Sequence, residues 1–307
     1  MSAPPPAPLT VIALGGNALL PRGAPATSAN QILAAKGAAA VLGPISEENR
    51  LVVTHGNGPQ VGLLSLKEDA FGAEDPYPLD VLDAETEGQI GYVIELALDN
   101  EIDHQDTVAV LTRVLVDGND PAFQDPTKFI GPIYEEARAR ELADHHGWKI
   151  KPDGDHWRRV VASPEPKEII QLEAIRRLVE GGFLVVCVGG GGVPVVESGK
   201  GHEGVEAVID KDLASALLAE GLQADVLVLA TDVDAVYEAW GTPAQRALRT
   251  TTPGELRKLD FAAGSMGPKV EAVCRFVERT GGRAAIGSLG ELSELTAGSA
   301  GTQVEAA

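Results

Sequence analysis

The chain is short of aromatics, cysteine and basic residues, and each shortage excludes a class of protein. Aromatics make up 4% of its 307 positions against 44% hydrophobic residues, so its core must be built from Val, Leu, Ile and Ala rather than from rings. Such a core suits a parallel sheet covered by helices. The two cysteines, Cys187 in an apolar run and Cys274 in a helical pattern, provide neither a disulfide framework nor paired metal spacing, and read as small buried hydrophobes. With 25 Lys and Arg against 45 Asp and Glu, the formal charge is −20, which argues against binding nucleic acid or an anionic membrane. No apolar stretch approaches the ~18–20 residues of a membrane span, and MSAPPPAPLT lacks the basic and apolar regions of a signal peptide. A cytoplasmic protein is expected, with residues 1–9 forming a proline-rich mobile leader.

Familiar catalytic signatures are missing too. The phosphate loop G-x-x-x-x-G-K-[ST] is absent, since Pro194 lies five places before Gly199 and Gly201 follows Lys200. GNGPQVG (56–62) places its last glycine one residue late for the dinucleotide pattern G-x-G-x-x-G. The six histidines show no H-E-x-x-H spacing, and no Ser/His/Asp arrangement is visible.

What the sequence does contain is glycine-dense turns after apolar runs: VIALGGNAL (11–19), VVTHGNGPQVG (52–62) and FLVVCVGGGGVPV (183–195). A glycine turn closing a buried strand lets backbone N–H groups approach an anion, and a following helix adds its positive end. Strand patterns over 10–14, 51–54, 107–115, 183–188, 226–230 and 283–286 alternate with helical patterns over 30–46, 59–70, 80–98, 168–180, 211–220 and 268–280. The alternation predicts parallel β-α units, in two domains of roughly 150 residues or one open α/β unit. From 118 to 160 the pattern breaks into Asp-Pro, Gly-Pro and Lys-Pro-Asp-Gly turns. That segment reads as an inserted subdomain emerging at the strand C-termini, where a lid is useful.

Three lysines have unusual settings. Lys128 lies in DPTKFIGPIY, Lys211 sits between Asp210 and Asp212 at a strand-to-helix junction, and Lys269 follows the helix-start signal Gly267-Pro268. Asp210 and Asp212 would hold the Lys211 ammonium, while Lys269 would put a cation at a positive helix end that an anionic ligand could neutralise. Glycine loops and lysines without a base suit phosphoryl transfer, in which catalysis is mostly positioning and cationic stabilisation. An acceptor that is already an anion needs no general base.

The ordered set ALGGNAL, THGNGPQVG, VDGNDPAFQDPTKFIGPIY, RRVVASPEP, VGGGGVPVV, GVEAVIDKDLAS, LATDVDAVY and GSMGPKVEA resembles the carbamate kinase family of the amino-acid-kinase superfamily, and GTQV (301–304) resembles its terminal strand. The resemblance implies a three-layer αβα sandwich with a mainly parallel central sheet and a protruding inserted subdomain at 118–160. It implies a carbamate-binding half over about 10–180, a nucleotide-binding half over about 181–307, and a homodimer. ATP and carbamate would be in equilibrium with ADP and carbamoyl phosphate, with Mg²⁺ bound mainly through the nucleotide phosphates. Gly15, Gly16, Asn17, Gly190 and Gly191 would line the phosphates, and Gly56, Asn57 and Gly58 would approach the acceptor. Lys128 would act from the subdomain and supply a charge missing from LGGNAL, which carries Asn17 and no lysine. Lys211 and Lys269 would neutralise nucleotide phosphates, and Asp212 would orient them. Asp210, Thr231, Asp232, Tyr237 and Met266 would belong to the nucleotide pocket. AETEGQIGY departs from the family's wording, with Glu85 and Glu87 where serine and glutamine are frequent, and the two read as solvated glutamates in a first helical turn. A nicotinamide oxidoreductase, a noncatalytic nucleotide sensor and a kinase for another small acid remain as alternatives.

Overall fold

The computed structural model describes residues 6–19, 25, 27–71, 77–261 and 266–307. In chain order the first elements are β1 (Leu9–Leu14), α1 (Gly16–Leu19), α2 (Ser28–Ser46), β2 (Arg50–His55), α3 (Gly58–Phe71), α4 (Leu79–Asp99), β3 (Thr107–Val110) and β4 (Arg113–Val116). Then come β5 (Lys128–Tyr134), α5 (Glu136–His146), β6 (Lys149–Asp153), β7 (His156–Val161), β8 (Pro166–Ile169), α6 (Leu172–Glu180) and β9 (Leu184–Cys187). The chain continues through β10 (Val193–Ser198), β11 (Gly201–Gly204), α7 (Lys211–Leu222), β12 (Val226–Thr231), β13 (Val236–Glu238), β14 (Arg246–Leu248) and β15 (Thr250–Thr251). It ends with α8 (Pro253–Leu256), α9 (Met266–Thr280), β16 (Arg283–Ser288), α10 (Leu292–Ala297) and β17 (Thr302–Val304).

Eight strands form the main sheet in the order β15-β17-β16-β12-β1-β2-β9-β3. All its pairings are parallel except β16 with β17. Successive residues of β1 point into opposite cores: Val11 and Ala13 join Ile175 of α6, Leu218 of α7 and Phe276 of α9, whereas Ile12 and Leu14 join Leu42 of α2, Ile94 of α4 and Leu295 of α10. Helices thus cover both faces, which is why the strands read as continuous apolar runs. Each fully buried Val, Leu or Ile contributes roughly 1.5–3 kcal/mol. No helix among the described residues is long and apolar enough to cross a membrane.

Several sequence expectations need correction. The strand expected over 107–115 is two strands in different sheets: β3 pairs with β9, while β4 joins β10 and β8. The chain turns at Leu111 and Thr112, where the Thr112 hydroxyl donates back to the Val110 carbonyl at 2.8 Å. The helix expected from 168 begins at Leu172, because Glu168 and Ile169 pair with Leu115 and Val114. Leu9, assigned to the leader, is buried in β1, where its N–H donates to Asp225 Oδ2 at 2.7 Å; residues 1–5 lie outside the described residues.

Residues 118–160 contain α5 and most of the antiparallel sheet β5-β7-β6. One glycine contact seats this sheet on the main body. A Cβ on Gly62 of α3 would overlap the backbone of Gly131 in β5, and Gly131 itself has φ +69°. The late glycine of GNGPQVG therefore serves a close backbone approach, and through it fixes the strand that begins with Lys128.

Candidate active site

Because β1, β2, β9 and β12 run parallel, their C-terminal ends share one edge, and the glycine turns lie there. Gly15 follows β1 so closely packed that a Cβ would stand 3.0 Å from the Ala230 carbonyl oxygen of β12. A Cβ on Gly56 would meet Gly16 N at 3.3 Å and Lys211 Cδ at 3.6 Å. Gly56 thus lies against both the Gly16 backbone and the Lys211 side chain. Asn17 lies in α1, but its side chain is outside the described residues.

The three lysines form a continuous charge array with two aspartates. Lys128 Nζ donates to Asp210 Oδ2 at 2.6 Å, Lys211 Nζ to Asp212 Oδ1 at 2.5 Å, and Lys269 Nζ to Asp212 Oδ2 at 2.8 Å. Asp210 also caps α7, its Oδ1 accepting the Asp212 N–H at 2.9 Å. Asp210 therefore holds Lys128 rather than Lys211. Lys269 likewise finds its counter-charge in Asp212, not only in a ligand as the sequence suggested.

Burial would raise the Asp212 carboxyl, but Lys211 and Lys269 overcome it and hold the group well below the usual carboxylate range. Burial draws Lys211 below the ordinary lysine range against the pull of Asp212. For Lys269 the same burial is outweighed by the carboxylates of Asp212, Asp210 and Asp232, and the ammonium is favoured. With both oxygens committed, Asp212 is a poor general base.

α7 is tied to β2 as well. Thr54 Oγ1 and Ser215 Oγ are 2.6 Å apart, and Ser215 donates to the Lys211 carbonyl at 2.6 Å. Asn57 is buried, donating from Nδ2 to Asp83 Oδ1 and Thr86 Oγ1, both at 2.9 Å. Gly58 begins α3. A Cβ on Gly190 would overlap the Asn57 side chain, and one on Gly191 would lie 2.6 Å from the Ile209 carbonyl oxygen. The third glycine turn therefore fits between Asn57 and the approach to α7.

Thr231 ends β12 with Asp232 just beyond it. Tyr237 donates to Asp234 Oδ1 at 2.5 Å and meets Trp240 edge to face, and Met266, the first residue of α9, packs on the core. The Tyr237 hydroxyl is committed to Asp234, whereas the Asp232 carboxylate bears on Lys269.

The Amino acid kinase family profile matches residues 8–288. The chain belongs to the amino acid kinase family. Among relatives within this family, a carbamate kinase of Rhizobium meliloti is 54% identical over 296 residues, covering 95% of this chain and 91% of its own. One from Escherichia coli strain K12 is 51% identical over 292 residues, covering 95% and 97%. The structure of a carbamate kinase from Giardia lamblia bound to AMP-PNP superposes with a TM-score of 0.90 at 37% identity, covering 98% of this chain and 99% of that one.

Within this amino acid kinase, sequence reading missed the polar inner face of α4. Glu87 is buried, not solvated, and lies well inside a helix that starts at Leu79, whereas Glu85 is exposed. The signal was present: Asp83, Glu87, Ile90, Ile94 and Leu98 recur at helical spacing, so Glu87 occupies an apolar face. His55 was missed too. It is buried at the end of β2, and burial lowers it to about 4, leaving a neutral imidazole.

Proposed function

We propose that the chain is a carbamate kinase, transferring a phosphoryl group reversibly between ATP and carbamate to give ADP and carbamoyl phosphate. The observation that carries this reading is the Lys128–Asp210 pair joined through α7 to the Lys211–Asp212–Lys269 triad beside the glycine turns. Three ammonium groups from separate segments form a preorganised field for charge that develops on peripheral phosphoryl oxygens. Carbamate is already an anion, so the engagement of both Asp212 oxygens costs the reaction nothing.

In this reading Gly15, Gly16 and Asn17, with Gly190 and Gly191, line the phosphates, and Gly56, Asn57 and Gly58 face the acceptor. Lys128, on the lobe over 118–160, serves the acceptor side or the transferred phosphoryl. Lys211 and Lys269 neutralise nucleotide phosphates, and Asp212 orients both. Asp210, Thr231, Asp232, Tyr237 and Met266 border the nucleotide, which places ATP on the half over about 181–307 and carbamate on the half over about 10–180. Asp210 and Asp212 each already hold an ammonium, so the donor set fits Mg²⁺ carried on nucleotide phosphates rather than on these carboxylates. When bound there, Mg²⁺ would add positive charge against the β- and γ-phosphates.

The reading also implies a cytoplasmic homodimer. Exposed Tyr92, Leu96 and Leu111 beside the edge strand β3 support the dimer.

The test is ATP formation from ADP and carbamoyl phosphate with Mg²⁺, with Lys211→Ala as the control. Robust formation that is lost in the variant is expected. Folded, nucleotide-binding protein that makes no ATP would instead point to a different acceptor.

A further inference from the structure

Helix α4 turns a carboxyl inward where its period calls for an apolar residue. Glu87 is only 3% exposed, and its Oε1 accepts the Gly189 N–H at 2.9 Å. The Thr112 N–H lies 3.2 Å from both carboxyl oxygens. Thr112 in turn accepts the Val188 N–H on its hydroxyl at 3.0 Å and the Val193 N–H on its carbonyl at 2.8 Å. One acid and one threonine thus hold both ends of the turn over 188–192.

That turn needs holding. Val188 has φ +53°, and Gly190, Gly191 and Gly192 have φ +71°, +103° and +82°. A β-branched residue in the left-handed region is strained and persists only where its surroundings over-determine it. The turn also meets both sides of the site, through Gly190 against Asn57 and through Gly191 against Ile209, which precedes Asp210 and Lys211.

We propose that Glu87 is a positioning residue: its buried carboxyl pins the turn over 188–192, and the turn sets the seats of Asn57 and of the Asp210–Lys211 helix start. The kinetic consequence rests on the phosphoryl-transfer reading above; the geometric one does not.

Burial favours the neutral form of this carboxyl. Burial pushes Glu87 up to about 8, against the opposing N–H bonds from Thr112 and Gly189. The titratable groups around it agree with a neutral interior. His55 of β2 stays uncharged, burial pushes the Cys187 thiol of β9 up, and burial raises Asp83 on the same helix. Tyr92 and Glu95 line the outer part of the cleft of about 240 Å³ that Glu87 and His55 share. Lys211 bears on His55 and disfavours its protonation. The His55 ring also rests against Gly189 with Nε2 unpaired, and ionised Glu87 would offer it only lone pairs. Glutamine keeps the acceptor oxygen and a donor but cannot ionise.

The experiment compares the wild-type chain, Glu87→Gln and Glu87→Ala in ATP formation from ADP and carbamoyl phosphate between pH 6 and 10. Amide hydrogen exchange over 188–193 and thermal unfolding are measured on the same preparations. Expected for Glu87→Ala is a kcat loss of roughly 10–100-fold, the scale of a small misplacement of reacting groups, with faster exchange in the turn. Glu87→Gln should restore kcat to within about threefold and remove the fall in wild-type kcat as pH rises through about 8. The proposal is overturned if Glu87→Ala keeps both kcat and turn protection, or if Glu87→Gln is as impaired as Glu87→Ala. Should Glu87→Ala not fold, Glu87→Gln decides, and an alkaline limb identical to wild type overturns the proposal. If even the wild type makes no ATP, the functional reading fails and exchange over 188–193 still decides the positioning role.

Discussion

Asp212 and Asp210 do different work although one residue separates them. Asp212 neutralises two ammonium groups, one of them on Lys211, whose side chain is 11% exposed, whereas Asp210 pairs with Lys128, whose side chain is 31% exposed. Removing Asp212 would leave two cations unpaired, and breaking a buried pair costs about 3–5 kcal/mol. Asp212→Ala is therefore expected to lower the unfolding midpoint sharply and to abolish turnover. Lys128→Ala breaks a partly exposed pair and leaves Asp210 its bond to the Asp212 N–H, so its midpoint should fall less than that of Asp212→Ala, while turnover falls roughly 10²–10³-fold as for loss of one preorganised charge. Measuring kcat and thermal unfolding together separates the two aspartates' roles. Near-normal turnover in Lys128→Ala would remove that lysine from the transfer.

At the scale of elements, the lobe strand β5 owes its position to glycine facing glycine. Gly62→Ala would push the new methyl into the Gly131 backbone, which no side-chain rotation can relieve. Overpacking of this kind costs typically about 1–3 kcal/mol, and displacing β5 moves Lys128. We expect a lower unfolding midpoint together with a kcat loss on the order of 10²-fold per ångström of displacement. Gly37→Ala serves as the control: Gly37 lies in α2, where a Cβ meets nothing within 4 Å, so it should stabilise by roughly 0.5–1 kcal/mol and leave kcat alone. Equal kcat in the two variants would show that Gly62 does not set the lysine.

The glycine turns, the lysines and the β-α alternation were legible because each is a local signal. Glu87 was not, because its partner Gly189 lies 102 residues away and a glutamate on a helix reads as solvated until the strands behind it are placed. The strand expected over 107–115 failed for a related reason. Its apolar pattern runs on through Leu111 and Thr112, yet the Thr112 N–H goes to Glu87 rather than to a neighbouring strand, and that long-range bond is where one sheet gives way to another.

At the scale of the whole molecule, α4 has two distinct faces. Its inner face holds Asn57 through Asp83 and Thr86, and holds the third glycine turn through Glu87. Its outer face exposes Tyr92 and Leu96 by 60% and 45%, and Leu111, just beyond β3, is 52% exposed. β3 is an edge strand of the eight-stranded sheet, and an edge flanked by exposed apolar side chains invites a partner. A second copy meeting the first there would bury both patches and brace α4. Light scattering should then give twice the 32.0 kDa of one chain, and Tyr92→Glu with Leu96→Glu should return the mass to one chain. Because the braced helix also holds Asn57 and the strained turn, the monomerised variant should lose kcat while keeping its fold. A monomeric wild type would overturn the dimer, and a monomeric variant with undiminished kcat would show that the inner face of α4 holds its geometry without a partner.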